Sequence, residues 1–370
     1  MKKVDFSELA NAGIRSLSPY QPGKPVDELA REFNLNPKDI VKLASNENPL
    51  GPSKKALLAI NNELANLTRY PDGNGFDLKV GLAAKLFVNL DQITLGNGSS
   101  DILEFIVKCF VSAGDEVIVS QHAFAIYGLV TQVVGGQCIQ VPAKNWGHDL
   151  SAMAQAVTDK TKIIFVTNPN NPTGTWSNKE QLESFLNKVP AHVIVLLDEA
   201  YFEYVDQANY PSGIDYLDRY PNLVVTRTFS KAYGLASLRV GYGVSSSEIA
   251  DLMNRVRPPF NVDSLALAAA TACLGDDSYV RQSKDLNDQG MAQLQGGFDQ
   301  LNISWIPSVG NFICFSVPGR AMEIFQGLLA KGVIIRPVAN YEMPQHLRVS
   351  IGTQAENQIF LLALKSLLET

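Results

Sequence analysis

The stretch TRTFSKAYGLASLRVGYG, residues 226–243, places one lysine, Lys231, among small and apolar residues. Arg239 follows eight positions later, and the stretch contains no acid. An amine in mostly apolar surroundings near another cation loses basicity and becomes a usable nucleophile toward carbonyls. By itself, a lysine after a serine at a strand end is a common surface feature. Its surroundings decide between the two readings. The runs LVVTRTF (223–229) and RVGYGV (239–244) flank it, and EVIVS (116–120), KIIFVTN (162–168) and VIVLLD (193–198) precede it. All five read as strands. Near-continuous apolar runs suit a sheet buried on both faces, so the expected fold is α/β: a mainly parallel central sheet with helices on both faces. In such sheets ligands gather beyond the carboxyl ends of the strands. The polar residues fall at those ends: 168–171, then Asp198, then Ser230 and Lys231.

A chain of 370 residues exceeds the usual size of a single core, so more than one domain is expected. After residue 275 comes a charged helical stretch, then NFICFSV (311–317), GVIIRPV (332–338), LRVSIGT (347–353) and an amphipathic closing helix, NQIFLLALKSLLE. These read as a smaller α+β domain. The expected division is 1–45 as an arm belonging to the small domain, 46–270 as the large domain and 271–370 as the small one. SPYQPGKP (18–25) reads as an extended arm before the first helix.

With 46% hydrophobic and 18% charged residues, the chain is an ordinary soluble globular protein. A net charge of −6 argues against nucleic acid as a partner, which calls for a basic face. The longest apolar stretch, LALAAATACL (265–274), is about half a membrane span, so no membrane is expected as partner. The first residues, MKKVDFSELANAGIRSLSP, lack the apolar run of a signal peptide. Cys109, Cys138, Cys273 and Cys314 lie far apart, each beside at least one apolar residue. They are expected as buried thiols of a cytoplasmic protein, with no metal site, since no CxxC spacing exists.

Four further segments carry chemistry. GNGSSDILEFIVKCF opens with Gly96, Gly98, Ser99 and Ser100 and continues with helical apolar spacing. Ser99 or Ser100 is expected to cap that helix, whose free N–H groups suit an anion such as phosphate. Asp101 stands where a dinucleotide fingerprint needs its last glycine. NPNNPTG (168–174) is a rigid turn presenting Asn171. LLDEAYFEY brings Asp198 to the end of a buried strand, where its charge needs a cation or hydrogen bonds. An arginine would serve structurally; functionally, such a carboxylate could hold a heterocyclic nitrogen protonated. Asn171, Asp198, Tyr201, Ser230, Lys231 and Arg239 follow one another at intervals of 27, 3, 29, 1 and 8 residues.

With SNENPLGP and RYPDG in the same order, this set resembles the fold-type I pyridoxal-phosphate-dependent aminotransferases, from about residue 19 to 352. The resemblance implies pyridoxal 5'-phosphate as cofactor. It implies that Lys231 binds the aldehyde as a Schiff base and then moves a proton, and that Asp198 keeps the pyridine nitrogen protonated. It implies that Asn171 and Tyr201 bond the phenolic oxygen, that Phe124 lies over the ring, and that Gly98, Ser99, Ser100, Ser230 and Arg239 hold the phosphate. Tyr70, in RYPDG, matches the residue that reaches the neighbouring subunit's cofactor, which implies a homodimer.

Within that family, PYQPGKP, RPPFNVDSLALAAA (257–270), GVIIRPV and LRVSIGT resemble the branch acting on histidinol phosphate. That branch exchanges an amino group with glutamate and 2-oxoglutarate in histidine biosynthesis. Aromatic aminotransferases share several of these features. A phospho-amino-acid decarboxylase and a cofactor-binding sensor are further alternatives. Two guanidiniums can serve both a carboxylate and a phosphate. Arg348 matches the family's α-carboxylate arginine. Arg336 is a candidate for the second anionic group, or a strand-end ion pair. Tyr20, on the arm, could close over the substrate, and Asn46 could meet its polar groups.

Overall fold

The structure, a computed structural model, describes residues 4–20 and 23–369. Its largest layer is a seven-stranded sheet. The spatial order is Ile93–Asn97, Val240–Val244, Leu223–Thr228, Ile194–Asp198, Thr161–Thr167, Glu116–Ser120, Gln137–Val141. Every pairing is parallel except those of Val240–Val244, which runs antiparallel to both neighbours. The chain returns after a short irregular connection, whereas a parallel return needs a longer crossover, usually through a helix.

Alternate residues of the central strands feed two separate cores. Ile164, Val166, Val195, Leu197 and Val225 pack beneath helices Lys179–Leu186 and Ser264–Leu274. Ile163, Phe165, Ile194, Leu196 and Val224 pack beneath Ser99–Phe110 and Ser247–Val256. Both faces are thus covered, and each fully buried aliphatic side chain contributes about 1.5–3 kcal/mol. This double burial is why the strands read as unbroken apolar runs. The two strands that the runs miss explain themselves. ITLGN at Ile93–Asn97 has only two large apolar residues, and QCIQV at Gln137–Val141 is an edge strand with largely exposed residues. Cys138 lies on that edge and is exposed, and Cys109 is half-buried, so the expectation of four buried thiols holds only for Cys273 and Cys314.

The smaller domain is a four-stranded antiparallel sheet in the order Arg336–Pro337, His346–Ser350, Phe312–Ser316, Trp305–Ile306. Helices Asp277–Gln300, Ala321–Ala330 and Gln354–Leu368 pack on it around Phe298, Phe315 and Phe360. The run GVIIRPV is not one strand. Val333–Ile334 pairs with Val41–Lys42, and Arg336–Pro337 crosses to the His346–Ser350 strand. Pro337 lacks an N–H for a longer ladder. Two single-turn helices, Phe6–Leu9 and Ala12–Arg15, precede the arm expected to come before any helix. Gln21 and Pro22 of that arm lie outside the described residues.

Among the described residues no helix is long and apolar enough to cross a membrane. Nor, among them, is any group of three or more His, Cys, Asp or Glu placed to hold a metal ion.

Candidate active site

The loops at the carboxyl edge of the large sheet and two strands of the small domain enclose a cavity of about 260 Å³. That volume suits one substituted ring rather than a polymer segment. Of the expected site residues, all but Gly98 and Tyr70 line it.

One end presents a helix start and a guanidinium, groups that suit an anion. The helix Ser99–Phe110 begins after Gly98, which sits at φ 76°, and neither serine makes a capping bond. The expectation that Ser99 or Ser100 caps the helix is therefore corrected. The glycine turn starts the helix, leaving its first N–H groups available to a guest. Asp101 instead secures the turn, accepting from the Asn97 N–H at 2.9 Å and from Asn261 Nδ2 at 3.0 Å. A Cβ on Gly98 would lie 2.4 Å from Arg239 Nη2, and one on Gly241 would lie 2.4 Å from the Ser99 nitrogen. Only glycine lets the guanidinium, the helix start and the antiparallel strand meet this closely. Arg239 also donates to Ser230 Oγ at 3.3 Å.

The middle of the cavity holds Asp198 and Lys231. Thr167, Asp198 and Thr226 are register partners across three neighbouring strands, all at the carboxyl edge. Asp198 is buried, and its Oδ2 accepts from the Tyr127 hydroxyl at 2.8 Å while Oδ1 accepts from the Ala200 N–H at 3.2 Å. Burial raises its carboxyl above the usual range, and the Tyr127 hydrogen bond works against that rise. Lys231 Nζ donates to the Ser45 carbonyl at 3.0 Å. Burial, then the positive charges of Arg348 and Arg239, bring its amine down to about 8, with Glu47 and Asp198 opposing. An amine of lowered basicity facing a cavity has the character of a nucleophile toward carbonyls.

The far wall is a hydrogen-bonded set around the Tyr201 hydroxyl, which accepts from Asn46 Nδ2 at 2.9 Å and Asn171 Nδ2 at 3.2 Å. Burial pushes this phenol up to about 12, with the Arg348 charge opposing. Asn46 adopts φ 53°, a conformation that asparagine tolerates, and its backbone N–H donates to Ser350 Oγ at 2.8 Å. Asn171 sits in a turn whose two Asn–Pro bonds are cis. Its Oδ1 accepts from Arg348 Nη1 at 2.5 Å, and Arg348 Nη2 donates to the Ala44 carbonyl at 2.7 Å. The buried Arg348 Nε has no partner. Arg336 is the register partner of Arg348 on the adjacent antiparallel strand, so both side chains stand on one face. The Arg336 guanidinium carbon lies 5.6 Å from the centre of the Tyr20 ring.

Phe124 lines the cavity and meets Tyr127 edge-on, with ring centroids 5.8 Å apart. Tyr127, Thr167 and Tyr341 were missed in the sequence. Tyr70 stands outside the cavity of its own chain, 82% exposed and stacked on Phe260 at 4.7 Å.

An anion cradle, a buried carboxylate and a softened lysine at the mouth of an α/β sheet define an enzyme of nitrogen and carbonyl chemistry. The family model described as "Aminotransferase class I and II" matches residues 38–364, and the chain belongs to that family. It is 60% identical to histidinol-phosphate aminotransferase 2 of Pseudomonas fluorescens over 98% of both chains. Its identity to histidinol-phosphate aminotransferase 1 of Idiomarina loihiensis is 53%, over 99% of this chain and 100% of the relative. The crystal structure of histidinol-phosphate aminotransferase from Sinorhizobium meliloti in complex with pyridoxal-5'-phosphate superposes with a TM-score of 0.87. That chain is 28% identical, with 97% of each chain covered.

Proposed function

We propose that this aminotransferase uses pyridoxal 5'-phosphate to move an amino group between histidinol phosphate and 2-oxoglutarate, giving imidazole-acetol phosphate and glutamate, in histidine biosynthesis. The observation carrying the proposal is the cavity with the softened Lys231 amine beside buried Asp198 and two arginines paired opposite. The residues fit the cofactor. Lys231 would hold its aldehyde, Asp198 its ring nitrogen, and Asn171 and Tyr201 its phenolic oxygen. Phe124 would cover the ring, while Ser99, Ser100, Ser230, Arg239 and the Gly98 turn would take the phosphate. When bound, it supplies a sink for the electrons left on a substrate carbon that loses a proton.

The chain's own groups do the rest. Lys231 Nζ, about half neutral at pH 8, would be placed to take the proton from the substrate carbon that carries nitrogen and to deliver it to the carbon on the other side of that nitrogen. Arg348, already anchored by Asn171 and Ala44, keeps an unpaired buried Nε for a carboxylate or phosphate. Arg336 and Tyr20 form the outer wall for the second anionic group.

Single half-reactions test the substrate. Histidinol phosphate should convert the bound cofactor to its amine form far more efficiently than phenylalanine, and the reverse preference refutes the assignment. Arg336→Ala is expected to cost at least about tenfold with histidinol phosphate and much less with phenylalanine. Equal losses would remove Arg336 from phosphate recognition.

Three further parts of the reading stand beside this. The assembly is proposed as a two-fold dimer, supported by Tyr70 and by the exposed Leu57, Leu58, Leu67 and Phe76. Light scattering that returns a monomer mass would refute it. The domain limits are proposed as 1–45 with 271–370 for the small domain and 46–270 for the large; the pairing of Val41–Lys42 with Val333–Ile334 supports the first. A cytoplasmic location is proposed on four cysteines that are free of disulfides.

A further inference from the structure

We infer that Tyr127 is a positioning residue for Asp198: its hydroxyl, fixed by packing and supported by Thr167, keeps the carboxylate oriented and ionised at the base of the cavity. The inference rests on the cofactor assignment proposed above.

Tyr127 stands on the helix Ile126–Val133 and is completely buried. Its ring lies flat on Phe165, with centroids 4.4 Å apart and planes 6° from parallel. Phe124 meets it at 87°. Packing therefore leaves the phenol little freedom, and the oxygen sits 2.8 Å from Asp198 Oδ2 and 2.7 Å from Thr167 Oγ1. The direction of both bonds follows. An ionised carboxylate only accepts, so the single phenolic proton points at Asp198. The Thr167 hydroxyl must then donate to Tyr127. Links in such a chain polarise one another, and a bond to a charged acceptor is the stronger kind.

The other titratable groups facing Asp198 are Lys231, from the loop beyond the neighbouring strand, Tyr201, just past its own strand, and Tyr210, further along. Among them Lys231 favours the anion by charge. Burial favours the neutral acid. Tyr127 donates to the anion from behind at 2.8 Å, away from any guest, and the Thr226 hydroxyl on the neighbouring strand also favours the charged form. Its ring also buttresses Phe124, so one residue backs both the carboxylate and the aromatic that would hold the cofactor ring.

The test uses holoenzyme carrying Tyr127→Phe, which keeps the ring packing and removes one proton donor. Losing a bond to the anion makes Asp198 easier to protonate, so ionisation is lost at a higher pH. The acid limb of kcat and the pH titration of the bound cofactor's absorbance should both move upward by about one unit. At neutral pH kcat should fall about tenfold, with KM little changed. Thr167→Val should shift the absorbance titration in the same direction by less. Phe165→Leu, which loosens the packing alone, should lower Tm without moving the titration. Tyr127→Phe holoenzyme with wild-type midpoints would overturn the inference and leave Tyr127 a core residue. A wild-type protein that takes up no pyridoxal phosphate would instead overturn the proposed function, and this inference with it.

Discussion

Lys231→Ala is expected to lower turnover by at least about a thousandfold and to abolish covalent attachment of pyridoxal phosphate. A positioned proton-transfer group contributes about 10²–10⁴-fold, and Lys231 also supplies the nucleophile. Among the described residues no other lysine lines the cavity, so none of them can take over. Burial and the two arginines are what make this amine competent. With the amine brought down to about 8, roughly a tenth of it is neutral at pH 7, against under about a thousandth for an ordinary lysine. Cofactor uptake by the wild-type apoprotein should therefore quicken about tenfold from pH 7 to 9 and level off above pH 8. A flat profile would show that the amine is not softened. The anion cradle is untouched by Lys231→Ala, so the variant should still bind pyridoxal phosphate reversibly.

Asp198→Ala is expected to retain cofactor but lose about 10²–10³-fold in kcat, the scale of removing one preorganised charge at a reacting centre. Attachment survives because Lys231 and the phosphate cradle are intact. Turnover falls because, among the described residues, no other carboxylate lines the cavity, and neighbouring Glu199 is committed to Arg227 at 2.8 Å and to the Gly213 N–H at 2.6 Å. The empty protein should be no less stable than wild type, since a carboxylate held buried with a raised pKa is costly to the fold. Wild-type turnover in Asp198→Ala would refute the electron-sink role.

How far the sequence discloses this site depends on what kind of signal each residue leaves. The five apolar runs at the centre of the large sheet are visible because burial on both faces removes any alternation. The flanking strands ITLGN and QCIQV are not: in the first, buried threonine and glycine break the apolar run, and the second is an edge strand with exposed glutamines. GVIIRPV reads as one strand, yet its two halves pair with partners almost 300 residues and about a dozen residues away, a choice made by tertiary packing. Asn171, Asp198, Tyr201, Lys231 and Arg239 can be read from motifs because each closes or follows an element. Tyr127 and Thr167 cannot. Their roles come from the contact of a helix with two strands, and locally they are a tyrosine in an apolar helix and a threonine ending a strand. The serines after Gly98 show the reverse case. Local rules make them caps, whereas the chain starts the helix with a glycine turn and leaves its end without a side-chain cap.

Borohydride reduction of the wild-type holoenzyme, followed by peptide mass mapping, puts the whole account at stake in one step. The mass of a reduced pyridoxyl phosphate group should appear on a single peptide, at Lys231, and should vanish from the Lys231→Ala protein. An unmodified Lys231, or the same mass carried by another lysine, would contradict it.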